Sequence, residues 1–202
     1  MYTLYYLPGA CSLATQVVLN ELDQAVTIID KQQVDDFSLI NPVGSIPVLI
    51  DEGNTLREGA AIILYLLNKH ENTMLPSTGV AREQGIQDIM FANATMHPAY
   101  SRLFFIAQSI SNEEVKQSTF EAAAEAITSL WQVIELQLAE KAFLGGAQPS
   151  AADILLTVYS RWGTHHPVDI PMGTNTKKML EAVQSMPSFQ NALAAEERQA
   201  AA

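Results

Sequence analysis

Apolar residues in the first third of the chain change between strand-like runs and helix-like spacing. Short runs rich in aromatic and β-branched residues predict strands, and apolar residues at steps of three and four predict the helices between them. The polar segment 31–39 is expected to be a loop with one helical turn. The predicted elements are a strand at 4–7, a helix to Leu22, a strand at 25–30, hairpin strands at 48–50 and 55–57, and a helix beginning at Glu58-Gly59. This order predicts an α/β unit of about 70 residues.

The rest of the chain has only helical periodicity. Residues 73–79 lack a hydrophobic period, so they are expected to link two domains, residues 1–72 and residues 80–202. Pro98 is expected to kink the first long helix, because it deletes a backbone hydrogen bond. Three helices are predicted from residues that share one face. The first has Ile86, Met90, Asn93, His97, Tyr100 and Phe104, the second has Phe120, Ala124, Ile127, Trp131, Ile134 and Leu138, and the third has Ile154, Leu155, Val158, Tyr159 and Trp162. Two short helices are predicted after them, at 179–185 and 188–197, separated by Pro187.

Composition excludes several classes of partner. The chain has 202 residues, 48% of them hydrophobic, which is enough for a sizeable core. Its 22 acidic and 11 basic side chains argue against nucleic acid and against an acidic membrane surface. Without a run of about 20 apolar residues or a secretory leader, the protein is expected to be cytoplasmic. No metal is predicted, because the four histidines lack ligand spacing: His70, His97, His165 and His166.

The loop after the first strand carries the best candidate for chemistry. It delivers Cys11 and Ser12 to the first turn of a helix, where unpaired backbone N–H groups and the helix dipole favour an anion. A thiolate placed there would be stabilised, whether it belongs to Cys11 or to a ligand. The single cysteine cannot form an internal disulfide, so it is an inert thiol, a reactive one or an intermolecular partner.

A second motif lies at Ile46-Pro47, where a proline opens a strand that is predicted to be interior. Proline removes a donor from the ladder, and a cis bond resolves this conflict. The turn would then aim the N–H and C=O groups of Ile46 outward, towards an extended peptide. The alternative is a trans proline at the first residue of the strand.

Two helix starts carry acidic residues. Glu58 precedes Gly59, and a carboxylate at this position can simply compensate the helix dipole. Ser150 and Asp153 form an S-x-x-D capping box ahead of an apolar stripe, which we interpret as a folding element.

Four segments together resemble the glutathione transferases, most closely the bacterial, cysteine-containing beta class. The segments are YYLPGACSLA at Tyr5–Ala14, NPVGSIPVL at Asn41–Leu49, REGAAIILYL at Arg57–Leu66 and FLGGAQPSAADILL at Phe143–Leu156. They follow the order and spacing of that family and span most of the chain. The resemblance implies a thioredoxin-like α/β N-terminal domain, a helical C-terminal domain, glutathione as cosubstrate, and a homodimer.

The resemblance also implies roles for single residues. Cys11 would contact the glutathione sulfur, through a mixed disulfide or by holding its thiolate. Ser12 corresponds to a hydroxyl that donates to this thiolate in other classes, or it is simply the helix cap. Tyr6 lies where still other classes place a catalytic tyrosine, although strand tyrosines are normal packing residues. His97 is either an interior histidine or, as in beta-class relatives, a residue that reaches the active-site cleft.

The remaining implied contacts bind the cosubstrate. The backbone of Ile46, shaped by Pro47, would hold the cysteinyl part of glutathione. Glu58 and Gly59 would hold the γ-glutamyl end through the acid and the N–H group. Lys31 only loosely matches the basic contact of the family.

The predicted function is therefore that of a glutathione transferase. Glutathione would bind to the N-terminal domain, and its thiolate would attack a small hydrophobic electrophile near His97. Thiol–disulfide exchange through Cys11 is a further predicted activity. Because a fold does not fix chemistry, two alternatives stay open: a non-catalytic binding or regulatory dimer, and a glutathione-dependent isomerase or dehalogenase.

Overall fold

The contacts of the chain divide it into two compact units. The structure, a computed structural model, describes residues 1–200. Ala201 and Ala202, at the end of the predicted helical domain, lie outside the described residues. The first unit is Met1–Met74 with the segment that begins at Gln184, and the second is Leu75–Val183.

A four-stranded sheet forms the centre of the first unit. Strand β1 (Tyr2–Tyr6) pairs in parallel with β2 (Val26–Asp30) and antiparallel with β3 (Val48–Asp51), which pairs antiparallel with β4 (Asn54–Arg57). The order is therefore β2-β1-β3-β4. This mixed sheet, with helix α1 (Ser12–Glu21) between the parallel strands, confirms the predicted thioredoxin-like fold.

Two more helices belong to the first unit: α2 (Gly59–Lys69) and the last helix of the chain, α8 (Pro187–Ala200). Segment 31–39, expected to hold one helical turn, contains two 3₁₀ turns. Helix α8 packs on α1, and the Asn20 amide donates to the Ser188 carbonyl at 2.9 Å. The sequence interpretation had placed this helix with residues 80–202. Helical periodicity shows that one face is apolar but not which surface covers it.

The second unit consists of five α-helices and short connecting turns. None of the helices within residues 1–200 combines the length and the apolar composition that a membrane crossing requires. The helices are α3 (Gly79–Phe91), α4 (His97–Ser109), α5 (Glu113–Gln137), α6 (Ala151–Ser160) and α7 (Thr174–Gln184). These helices confirm the predicted all-helical character of this half.

The predicted interruption of the first long helix is present, but it takes a different form. A π-helical stretch, Ala92–Met96, separates α3 from α4, and Pro98 lies in the first turn of α4. The predicted buried face was only partly right: Tyr100 is buried, whereas Met90 is 41% exposed. The core side is instead Ile89, Ala92, Met96, Ala99 and Leu103. The small side chains of the two alanines allow helices to pack closely. A hydrophobicity scale does not measure this property, so it does not identify alanine as a core residue.

Helix α5 buries the whole stripe that the sequence predicted. All six of its predicted core residues are less than a tenth exposed. The Trp131 indole N–H donates to the Tyr100 hydroxyl at 2.8 Å, so a buried donor has a buried acceptor. Glu135 on the same helix accepts hydrogen bonds from the Asn175 and Thr176 amides at 3.1 and 2.8 Å. It therefore caps α7 from a different helix.

The capping box at α6 is present as predicted. The Ser150 hydroxyl accepts from the Asp153 amide, and the Asp153 carboxylate accepts from the Ser150 amide at 2.7 Å. The same carboxylate accepts from the Leu144 amide at 2.9 Å. Because Asp153 is fully buried, these donors have no access to water if it is lost.

We expect Asp153→Ala to lower the free energy of unfolding by about 3 kcal/mol or more, because it orphans several buried donors at about 1–3 kcal/mol each. As a control, Asn112→Ala removes the exposed cap of α5, whose side chain accepts from the Val115 amide. That change should cost about 1 kcal/mol. Urea unfolding measures both, and equal losses would contradict the proposed role of Asp153.

Candidate functional site

Four segments meet at one edge of the sheet in the first unit, because the strand register brings their ends together. Val48, the first residue of β3, pairs with Tyr5 in β1 and with Arg57 at the end of β4. Tyr6, the last residue of β1, pairs with Asp30 at the end of β2. The adjoining segments are the 7–11 loop, Lys31, Ile46-Pro47 and Glu58-Gly59. Motifs that are far apart in sequence are therefore neighbours here.

Cys11 and Ile46 are in direct contact at this edge. The Cys11 thiol donates to the Ile46 carbonyl at an Sγ–O distance of 3.4 Å, although the two residues are 35 positions apart. The Ile46-Pro47 peptide bond is cis, as the sequence argument predicted. Cys11 as a residue is partly exposed, whereas its thiol group is desolvated.

The protonation state of Cys11 differs from the sequence expectation. Burial raises the pKa of the Cys11 thiol to about 11, and the backbone N–H groups of Cys11 and Ser12 only partly oppose this rise. The helix-dipole argument describes an effect that is present, because these amides lower the pKa, but it leaves out the desolvation of Cys11. Desolvation of a thiolate outweighs two amide dipoles. At neutral pH Cys11 is a hydrogen-bond donor.

Ser12 is fully buried and holds the loop instead of capping the helix. Its hydroxyl accepts from the Leu7 amide at 3.3 Å and donates to the Leu7 carbonyl at 3.4 Å. The N-cap position of α1 is Cys11, whose side chain makes no capping bond. The interpretation of Ser12 as a helix cap was thus wrong, because both functions of its hydroxyl are used by the backbone of Leu7.

Tyr6 lies on the buried side of β1. Its side chain is 0% exposed, and its hydroxyl has no hydrogen-bond partner among residues 1–200. Burial raises the pKa of Tyr6, and the charges of Asp30 and Glu196 add to the effect. A ligand at the surface of the first unit does not reach this hydroxyl in the described arrangement.

Two side chains and a backbone hydrogen bond fix the loop before Pro47. The Asn41 amide donates to the Ser45 carbonyl at 2.8 Å, and the Gly44 amide donates to the Asn41 carbonyl at 2.8 Å. The Lys31 ammonium donates to the Gly44 carbonyl. Within the described part of the chain, the Ile46 amide donates to no protein group. It is available to the carbonyl of an extended peptide.

Glu58 has a strained backbone at the start of α2. Its φ is +69°, a region that non-glycine residues rarely adopt, at a typical cost of about 1–3 kcal/mol. Its side chain is exposed and makes no capping bond, so the carboxylate points to solvent rather than satisfying the helix. Gly59 is the first residue of α2, where amides lack helical partners. This pair offers a carboxylate and N–H donors to a ligand.

His97 lies in the second unit, among aromatic side chains. Its ring contacts Tyr159 and Trp162 edge-on, with centroids 5.0 and 5.1 Å apart. The Ser101 hydroxyl is 3.5 Å from its Nδ1 atom. Burial lowers the pKa of His97, so the ring is neutral at physiological pH. The interior-histidine interpretation describes these contacts, and His97 is half-buried.

Sequence reasoning missed Glu196 altogether. This glutamate of α8 is 6% exposed and accepts from the Gly9 amide of the Cys11 loop at 2.9 Å. The residues are 187 positions apart, and a glutamate in an alanine-rich helix carries no signal of burial.

Within the described residues, no group of three or more His, Cys, Asp or Glu side chains could hold a metal ion.

Comparison with known proteins places the chain in a family. Residues 11–74 match the model of the glutathione S-transferase N-terminal domain. The chain is 31% identical over 173 residues to glutathione S-transferase GST-4.5 of Xanthomonas campestris pv. campestris, covering 83% of this chain and 85% of the relative. The chain belongs to the glutathione S-transferase family. The family prediction and the prediction of a transferase enzyme are thus confirmed.

Solved structures of glutathione S-transferases share the fold over nearly the whole chain. A transferase from Xylella fastidiosa has a TM-score of 0.88 at 26% identity and covers 98% of this chain and 99% of its own. The beta-class enzyme of Sphingomonas chungbukensis has a TM-score of 0.83 at 30% identity, with coverages of 96% and 98%. A sphingomonad glutathione S-transferase complexed with glutathione has a TM-score of 0.84 at 27% identity, and it covers 96% of this chain and 98% of its own.

We expect Cys11 to react slowly with iodoacetamide at neutral pH, with a rate that rises with pH and has its inflection only near pH 11. The raised pKa keeps the folded thiol protonated below that range. The urea-unfolded protein is the control, because its cysteine should show the ordinary inflection near about pH 8.5. An inflection at or below that value in the folded protein would contradict the assignment.

Proposed function

We propose that this protein binds glutathione at the sheet edge of its first unit and promotes attack of the glutathione thiolate on a small hydrophobic electrophile. The observation that carries the proposal is the contact between the Cys11 thiol and the Ile46 carbonyl, at the edge where the strand register also brings the Glu58-Gly59 segment. Family membership supports the activity, and the neighbour with bound glutathione supports the ligand.

Backbone groups would hold the middle of the tripeptide. The amide of Ile46, which donates to no group within residues 1–200, and its carbonyl suit the cysteinyl residue of an extended peptide, in the manner of an added strand. Glu58 would pair with the γ-glutamyl amine, and the amides at Gly59 with its carboxylate. Lys31, which donates to the Gly44 carbonyl beside this turn, would add a positive charge for the glycyl carboxylate. An acidic protein can thus bind an anionic peptide without a basic patch.

Cys11 would act as a neutral donor to the glutathione sulfur. When the cysteinyl N–H of the peptide takes the Ile46 carbonyl, the Cys11 S–H loses its present acceptor and becomes available to the thiolate. The glutathione thiol releases its proton to solvent, its sulfur forms a bond to the electrophilic carbon, and the leaving group departs with its electron pair. A hydrogen bond that favours the thiolate lowers the pKa of the bound thiol.

Thiol–disulfide exchange by Cys11 itself is less well supported. With a pKa of about 11, roughly one molecule in ten thousand carries the Cys11 thiolate at pH 7. The thiolate is the attacking species in exchange, so this fraction makes Cys11 a slow nucleophile in the protein alone.

We also propose that the apolar electrophile binds near His97, where aromatic rings supply the surface. The protein is further proposed to work in the cytoplasm.

We expect Cys11→Ala to lower kcat/KM for conjugation to a chlorodinitrobenzene-type electrophile by about ten- to hundredfold. Hydrogen bonds to charged groups contribute about 1.5–3 kcal/mol, and Ser12 cannot substitute because its hydroxyl is engaged with Leu7. Cys11→Ser keeps a donor at the same position and is the matched variant. It should retain most of the activity, as measured by steady-state kinetics with varied glutathione.

Three results would contradict these assignments. Equal activity of Cys11→Ala and the unmodified protein would exclude Cys11 as the donor. Failure of the unmodified protein to bind a glutathione matrix or to show a heat signal on titration with glutathione would favour a non-catalytic dimer. Turnover of isomerisation or dehalogenation substrates, with none of conjugation substrates, would favour the other alternative.

A homodimer is also proposed, from exposed apolar residues on each unit. In the first unit Leu39 and Val43 are 83% and 79% exposed, and on α4 Phe105 is 66% exposed. Large exposed apolar side chains of this kind are typical of protein interfaces. A second copy of the chain is the occupant that the family resemblance implies.

We expect Phe105→Glu to shift the protein from dimer to monomer in sedimentation velocity, because a charge would be buried without a partner in the interface. Gln108→Glu adds the same charge at another exposed position of α4 and should leave the dimer intact. If both variants sediment like the unmodified protein, this face of α4 is not the interface.

A further inference from the structure

A buried carboxylate connects the end of the chain to the loop that carries Cys11. Glu196 lies on α8 and is 6% exposed. Its Oε2 atom accepts from the Gly9 amide at 2.9 Å, and its Oε1 atom accepts from the Gln16 side-chain amide of α1 at 2.7 Å. One side chain thus receives donors from both the loop and the helix that follows it.

The Gly9 contact is one of several that fix this loop, in which the Ala10 amide also donates to the Leu7 carbonyl at 3.1 Å. The loop begins at Leu7, where the Ser12 hydroxyl binds both backbone groups of the residue. It ends at Cys11, whose thiol donates to Ile46 at 3.4 Å. Gly9 lies between them with φ of +72°, in the left-handed region, so its amide direction is not set by a regular element. Without the Glu196 side chain, the middle of the loop would lose the hydrogen bond at Gly9.

We propose that Glu196 is a positioning residue for Cys11: by holding the Gly9 amide, it fixes the loop so that the Cys11 thiol stays against the Ile46 carbonyl. The effect of Glu196 on catalysis rests on the proposed function, whereas its effect on the position of the Cys11 thiol does not. The proposal makes the last helix of the chain part of the machinery that orients the thiol. Because hydrogen bonds to ionised groups are among the stronger ones, a buried glutamate suits this task.

Glutamine can test whether the hydrogen bond or the charge matters. In Glu196→Gln the new side-chain oxygen can still accept from the Gly9 amide. Its NH₂ group would then face Gln16, whose Oε1 atom has no partner among the described residues. Rotation of the Gln16 amide by half a turn would bring this oxygen to the new donor. The variant therefore keeps the hydrogen bonds to Gly9 and Gln16 and removes the carboxylate.

The experiment measures the rate of Cys11 alkylation by iodoacetamide at about pH 8, together with KM for glutathione and kcat. In Glu196→Leu we expect alkylation to rise about tenfold or more, because a released loop exposes the thiol and its pKa moves back towards the ordinary value. KM and kcat should both change, because the orientation of the donor is lost. Glu196→Gln should stay within about threefold of the unmodified protein in all three quantities.

Two control variants separate positioning from general damage. Gln16→Leu removes the other bond of Glu196, in an equally buried place, but leaves the Gly9 contact. It should lower the melting temperature without raising alkylation. Glu197→Leu makes the same exchange at the neighbouring exposed position and should change neither quantity. If Gln16→Leu accelerates alkylation as much as Glu196→Leu, the role of Glu196 is merely structural and the proposal fails.

Two features keep the outcome interpretable. Alkylation needs no glutathione, so an inactive but folded protein would refute the proposed function and still test Glu196. If Glu196→Leu does not fold, hydrogen exchange of the unmodified protein decides: the Gly9 amide should be protected about as well as the amides of α1. Exchange of Gly9 at the rate of an unstructured peptide, or unchanged alkylation in a folded Glu196→Leu, would overturn the proposal.

Discussion

The pairing of Val48 with both Tyr5 and Arg57 is the constraint on which the candidate site depends. It aligns the end of β1, the start of β3 and the end of β4, so the loops attached to these ends share one edge. A slip of one residue would turn the side chains of β3 to the other face and carry the Ile46 carbonyl away from Cys11. The buried faces of Leu4 and Leu49, which lie opposite each other, oppose such a slip.

Within this frame, desolvation decides the chemistry of Cys11. The start of α1 favours a negative charge, yet the sulfur is buried closely enough that the neutral thiol prevails. The Ile46 carbonyl, a hydrogen-bond acceptor, also prefers the protonated form. Under the proposed function, an arriving peptide would bring both a competitor for that carbonyl and a sulfur of its own, to which the Cys11 thiol would then donate.

Buried or half-buried carboxylates repeatedly hold backbone donors that are distant in sequence. Glu135 caps the start of α7, and a Cβ atom on Gly173 would approach its carboxylate to 2.1 Å. Burial opposes the charge of Glu135, but hydrogen bonds from Thr176 and Asn175 prevail and lower the pKa. Glu196 does the equivalent for the Gly9 amide. An acidic chain thus uses some of its charge to satisfy helix starts and loops.

The motifs indicated the family, and the sequence by itself determined what local chemistry controls: the capping box of Ser150 and Asp153, the buried stripe of α5, and the order of strands and helices along the first 70 residues. Such features depend on neighbours within a few positions along the chain. Only the tertiary structure decided that Ser12 binds Leu7, that Cys11 keeps its proton, and that Glu196 reaches the loop. Each of these outcomes depends on desolvation or on a partner that is far away in sequence, and periodicity reports only that a face will be covered, not by what.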